Sequence, residues 1–67
     1  MINRGLFENA IRDAKRSKAE LADSLGISRQ SFYEKVNGVR EFKQSEIATL
    51  TKILHLTEQQ VVDIFLN

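Results

Sequence analysis

The chain has 67 residues, 42% of them hydrophobic, with no cysteine and no proline, so it makes one small domain near the lower limit at which a single core supports itself, without room for an enzyme cleft beside a scaffold. Without cysteine there is no disulfide framework, thiolate metal site or thiol nucleophile. The formal net charge of +1 is unevenly spread, nine basic and six acidic residues lying between Met1 and Lys43 and one basic and three acidic beyond it, which places a positive field around the first part of the chain.

The absence of proline and the placing of glycine at Gly5, Gly26 and Gly38 make helices the simplest reading, with breaks at glycines. Phe7, Ala10, Ile11 and Ala14 recur at the i, i+3, i+4, i+7 spacing and predict a first helix from about Arg4 to Arg16. Ser17 with Glu20 is a capping box that starts a second helix at Lys18. Leu21, Ala22 and Leu25 form its buried stripe, and Gly26 ends it in the left-handed conformation. Ser28 caps a third helix, Arg29 to Asn37, which Asn37-Gly38 stops. Val39-Arg40-Glu41-Phe42 is read as a short connection with Val39 and Phe42 tucked under the domain. Glu46, Ile47, Leu50, Ile53 and Leu54 mark a fourth helix, about Gln44 to His55. Thr57 with Gln60 opens a fifth, running through Val61, Val62, Ile64, Phe65 and Leu66. The sum is an all-α globular domain of five short helices spanning 1–67.

Residues 18–37 carry the functional signal. Two helices held at a steep angle need a small residue where they cross, a residue free to take positive φ at the corner, and apolar residues on both sides. Ala22, Gly26, and Leu21, Leu25, Ile27 and Phe32 meet those needs. At about 100° per residue, Arg29, Gln30, Tyr33, Glu34 and Asn37 fall on one side of the third helix while Phe32 and Val36 fall on the other. The outer side is rich in hydrogen-bonding reach: arginine bonds guanine O6 and N7, glutamine bonds adenine N6 and N7, and glutamate accepts from cytosine N4 in the major groove. Any surface helix has a polar outside; the tight corner before it and the flanking cations are what point to double-stranded DNA. Lys18, in the first turn of the second helix, faces an anion-favouring terminus, and Arg40 and Lys43 flank the joint before the fourth.

SKAELADSLGISRQSFYEKVNG followed by EFKQSEIATLTKILHL resembles the lambda-repressor-like helix-turn-helix domains of phage Cro and repressor proteins. The resemblance covers nearly the whole chain; it is specific in LADSLGISRQSFYEKVNG and in the later run of Phe42, Glu46, Ile47 and Leu50, and no more than generic in the first helix. It implies a five-helix fold, a helix-turn-helix formed by helices 2 and 3, and operator binding. Base reading then falls to Ser28, Arg29, Gln30 and Tyr33, with Glu34 as a fifth. Phosphate contacts fall to Ser17 and Lys18 at the start of the second helix and to Asn37, Arg40 and Lys43 around the loop after the third. Two positions depart from the pattern. Lys35 stands where many members have an apolar residue, so Val36 is expected to take over that packing while Lys35 runs its stem along the core and keeps its ammonium in water or near a phosphate. Lys43 stands where the fourth helix usually has a threonine or serine cap, a loss of about 1 kcal/mol of capping.

One helix in one groove touches few base pairs, so a homodimer on a palindrome is expected. Val62 and Leu66, an apolar pair with no obvious cover, are the expected interface. With nothing after Asn67, a short Cro-type repressor is the first expectation, and an excised domain of a longer repressor fits the same residues. A protein-binding modulator on the same fold, an anti-repressor or co-repressor that pairs with another repressor, is the competing reading. His55 is the sole histidine and no catalytic or metal-binding constellation surrounds it, so no enzyme, cofactor or metal is expected. No apolar run approaches the roughly 18 residues that span a bilayer, and MINRGLFENAIRD lacks the apolar stretch of a signal peptide. A cytoplasmic protein without membrane contact is the expectation.

Overall fold

The computed structural model describes residues 2–66, and among them the regular secondary structure is all α-helix, with no strand. Five helices follow in order: α1 (Arg4–Asp13), α2 (Lys18–Leu25), α3 (Arg29–Val36), α4 (Gln44–Leu54) and α5 (Glu58–Phe65). Each begins where a cap dictates. The Ser17 hydroxyl accepts the Glu20 N–H at 3.1 Å while the Glu20 carboxylate accepts the Ser17 N–H at 3.0 Å. Thr57 and Gln60 exchange the same pair of bonds, and Ser28 Oγ accepts the Ser31 N–H. At Lys43 only half of such a box forms, because an ammonium has no lone pair to offer: Glu46 accepts the Lys43 N–H at 2.8 Å and nothing is returned. The cap of α1 was not foreseen; Asn3 Oδ1 accepts the Leu6 N–H, and the Asn3 N–H donates to the Ile64 carbonyl at 2.7 Å, tying the chain's start to α5.

The first helix ends at Asp13, three residues before the expected Arg16. Lys15 turns to φ 57°, and the Arg16 N–H reaches back to the Ile11 carbonyl, so the chain leaves the helix by the paired back-bonds of a Schellman motif. The next two helices stop in the same way, with Ile27 bonded to Ala22 and Val39 to Glu34 around left-handed Gly26 and Gly38, while α4 ends at left-handed His55 with the His55 and Leu56 N–H groups both on the Thr51 carbonyl. At Gly26 an added Cβ would meet nothing within 4 Å, so glycine is required there by its φ of 69° and not by space. The other two stops use L-residues at a conformational cost of roughly 1–2 kcal/mol each. Replacing exposed His55 with glycine is therefore expected to raise stability by about 0.5–1 kcal/mol, the gain being trimmed by glycine's greater freedom when unfolded. A higher urea midpoint at unchanged slope is the check; a lower midpoint would mean that the imidazole makes a stabilising contact.

The core is one cluster in which Phe7, Ile11, Leu21, Phe32, Leu50 and Ile64 are buried together. Four phenylalanines meet at its centre: the Phe7 ring lies 6.2 Å from Phe32, 5.7 Å from Phe42 and 5.4 Å from Phe65, mostly edge to face. Phe42 thus tucks under the domain as expected, but Val39 does not, being 73% exposed. The reason is local: the Val39 N–H is committed to closing α3 against the Glu34 carbonyl, which turns its side chain outward. No helix of the described residues is long and apolar enough to cross a membrane.

Candidate functional site

The corner between α2 and α3 is built from small and apolar residues on its inside. Ala22, with no accessible surface, lets the two helices approach, and Leu21, Phe32 and Val36 close the angle. The joint is only Gly26-Ile27-Ser28, and Ile27 is partly buried against the core. What the inside consumes, the outside leaves bare: Ser28, Arg29 and Gln30 are exposed and Tyr33 is 49% exposed. Ser28 caps α3 through the Ser31 N–H, while the N–H groups of Arg29 and Gln30, in the first turn, have no acceptor within the helix. One guanidinium, one carboxamide, one phenol and two free amides therefore lie exposed along the first turns of α3. Glu34, one turn on, is half-buried and held by Arg40, whose Nη1 stands 3.4 Å from its carboxylate and 3.5 Å from Ser31 Oγ.

The surrounding cations divide sharply. The Lys18 ammonium donates to Glu8 of α1 at 2.8 Å and lies 5.6 Å from the centre of the Tyr33 ring. Ser17 is exposed, but its hydroxyl and N–H are both engaged with Glu20, so the start of α2 already holds a carboxylate of its own. Lys43, Asn37 and Arg40 are exposed on the stretch between α3 and α4. Lys35 overturns the expectation made for it. Its ammonium is neither in water nor available to a phosphate: the residue is 6% exposed, and Nζ bonds both oxygens of Glu46, itself 7% exposed, at 2.6 and 2.8 Å, 5.9 Å from the Phe42 ring. A lysine on the inner face is stable only with a partner that cancels its charge, and α4 supplies that partner from its first turn. Lys35 borders an open groove of about 390 Å³ lined by Ile2, Phe42, Ile47, Phe65 and Leu66 among others.

The electrostatics follow from these contacts. Burial pushes the Glu46 carboxyl up, but the hydrogen bonds from Lys35 and the Lys43 N–H and the two nearby positive charges outweigh it and hold the group below its ordinary value. The Lys18 hydrogen bond does the same for Glu8, against a smaller effect of burial and with help from Arg4. Both carboxylates are therefore ionised at neutral pH.

At the other end of the chain Val62 and Leu66 are exposed, and Ile64 is buried, as the spacing in α5 predicts. Leu6 is exposed as well, on α1, against which α5 packs; it was missed because it lies just outside the periodic stripe of the first helix. The buried ion pair was also missed. Its signal was present in two places, a lysine at an apolar position of one helix and a glutamate within the apolar period of another, and only their conjunction has meaning. No protein-family model, curated protein or solved structure matches the chain.

Proposed function

We propose that this protein is a lambda-repressor-like helix-turn-helix regulator that binds double-stranded DNA sequence-selectively, as a Cro-type repressor does, with α2 and α3 as the two helices of the motif. The observation that carries this reading is the bare start of α3: Ser28, Arg29, Gln30 and Tyr33 are uncovered on the convex side of a glycine corner whose inner side is fully packed. That placement supports insertion of the helix start into a major groove, with Arg29 and Gln30 bonding purine edges and Tyr33 lying against a thymine methyl or a phosphate. Arg40, Lys43 and Asn37 sit where they would meet the backbone, Ser17 and Lys18 at the opposite flank, and Glu34 at the boundary of the reading face. Val62 and Leu66 support pairing of two copies on a palindromic operator.

Selection of bound sequences from a random duplex pool tests this directly. A palindromic winner is the expected result. On that duplex Arg29→Ala or Gln30→Ala should cost about 1–3 kcal/mol and relax choice at one base pair without lowering the melting temperature. Equal losses on selected and random DNA would remove the base-reading role.

A second reading has one observation behind it. Lys18 and Arg40 are matched by Glu8 and Glu34, which leaves the face less positive than its residue count suggests and would suit a protein partner, another repressor bound through this face or through α5. A salt series separates the two, since phosphate-driven binding falls steeply with added salt and a protein-only modulator has no DNA affinity to lose.

A further inference from the structure

Glu8 belongs to α1, outside the two helices of the proposed DNA face, yet its carboxylate sits 2.8 Å from the ammonium of Lys18. The two side chains are 27% and 28% exposed, so their attraction is screened less by salt than that of a pair standing in water. Arg4 Nε approaches the same carboxylate oxygen at 3.7 Å, and the Lys18 ammonium lies over the half-exposed Tyr33 ring. A chain of contacts thus runs from α1, through the first turn of α2, to the reading side of α3. Arg40 has a counter-ion too, but that pair is longer, at 3.4 Å, with the arginine side chain 58% exposed, and an ion pair so open to water is weak and screened by salt.

Phosphate binding is driven largely by release of the cations condensed on the duplex, in proportion to the phosphates that the protein's own cations neutralise. A lysine already neutralised by a fixed carboxylate of the same protein displaces few of them, and the carboxylate repels the incoming phosphate. Glu8 is ionised at neutral pH, and the Lys18 hydrogen bond holds its carboxyl further below the ordinary value, so this opposition is constant. Lys18 nonetheless stays where a phosphate beside Tyr33 would meet it.

We infer that Glu8 is a specificity-determining residue: acting as the built-in counter-ion of Lys18, it suppresses attachment to DNA of any sequence and so widens the gap between operator and random duplex. The inference rests on the DNA-binding reading of the α2–α3 face. It explains why a groove-reading helix would be flanked by neutralised cations: phosphate contacts add affinity without discrimination, and base contacts add both.

The test compares the protein with Glu8→Gln and with Glu58→Gln, which makes the same change of net charge on the first turn of α5, on the selected duplex and on a random one across a range of salt. Glu8→Gln should bind random duplex roughly three- to tenfold more tightly at about 0.1 M salt, with a salt slope steeper by about 0.9 per subunit and a smaller ratio of selected to random affinity. Glu58→Gln should leave the slope unchanged. Adding Lys18→Gln to Glu8→Gln should restore the original slope; a slope that stays steep would trace the effect to another cation, such as Arg4, and overturn the assignment. If the unaltered protein binds DNA and Glu8→Gln changes neither slope nor ratio, the inference fails while the DNA reading stands. If the unaltered protein shows no salt-dependent DNA affinity, both fail.

Discussion

Phe7→Ala is expected to leave the protein largely unfolded at room temperature. Phe7 has no accessible surface and is the ring on which α1, α3, α5 and the connection before α4 converge, through Phe32, Phe65 and Phe42. Phe42 closes the circle against Phe32 and Phe65 at 5.8 and 5.7 Å. Truncating a buried phenylalanine costs about 3–5 kcal/mol, because a cavity remains that neighbours on separate helices fill only partly. A domain of this length has a total stability of roughly 3–10 kcal/mol, at about 0.05–0.15 kcal/mol per residue, and a core this close to the lower size limit belongs at the low end of that range, where the loss is of the same size as the whole. Loss of the helical signal in far-ultraviolet circular dichroism without denaturant is the expected readout. Phe7→Leu, which retains most of the volume, should unfold cooperatively at a lower urea concentration than the original. A change below about 1.5 kcal/mol for Phe7→Ala would show that the four rings re-pack freely and do not form a rigid centre.

The second large effect concerns the ion pair between Lys35 and Glu46. Removing one partner strands the other in a site from which water is excluded, and such a buried unpaired charge costs about 3–5 kcal/mol. The lower end applies here because the stranded Glu46 carboxylate keeps the hydrogen bond from the Lys43 N–H. Lys35→Met should therefore lose about 3 kcal/mol. Lys35→Met with Glu46→Gln should recover most of it, since the carboxamide oxygen can still accept the Lys43 N–H that the carboxylate now takes. If the double variant were as unstable as Lys35→Met alone, the attraction itself, and not the stranded charge, would be the source of the loss.

The same pair sets the direction of the acid response. Glu46 and Glu8 are both held below the ordinary carboxylate value in the folded protein, so the stability they add is present above their unfolded pKa, roughly 4.3, and is lost as pH falls through the lower folded values. The original protein should hold a constant urea midpoint between about pH 7 and 5 as far as these two groups are concerned, and weaken below that. In Lys35→Met the sign for Glu46 reverses, because burial then acts with less opposition and raises its pKa above the unfolded value. Acidification from about pH 7 to 5 should accordingly stabilise this variant relative to the original. A parallel decline of both would mean that Glu46 turns out to solvent once Lys35 is removed.

The fold was readable in local terms because most of its boundaries are local events. Ser17, Ser28 and Thr57 act on N–H groups three residues away, and Gly26 and Gly38 act on their own φ; nothing distant is needed to know what they do. The apolar periods of α1, α4 and α5 point inward as their spacing predicts, since a helix has one face and the core is on it. The first helix was read too long for the same reason: Ala14 continues the period, but Lys15 adopts a left-handed φ that no composition rule assigns to lysine.

The candidate site divides along that line. Patterning along the chain was enough to specify that the helix after Gly26 is polar on one side and apolar on the other, and therefore which of Arg29, Gln30 and Tyr33 stand outside. Which cations are free to act could be decided only when separate helices were packed together: Glu8 of α1 reaches Lys18 of α2 across ten residues, and Glu46 of α4 reaches Lys35 of α3 across eleven. A charge is visible as a letter, but its strength depends on what faces it in three dimensions, and a carboxylate within 3 Å cancels most of a lysine's field before any partner arrives.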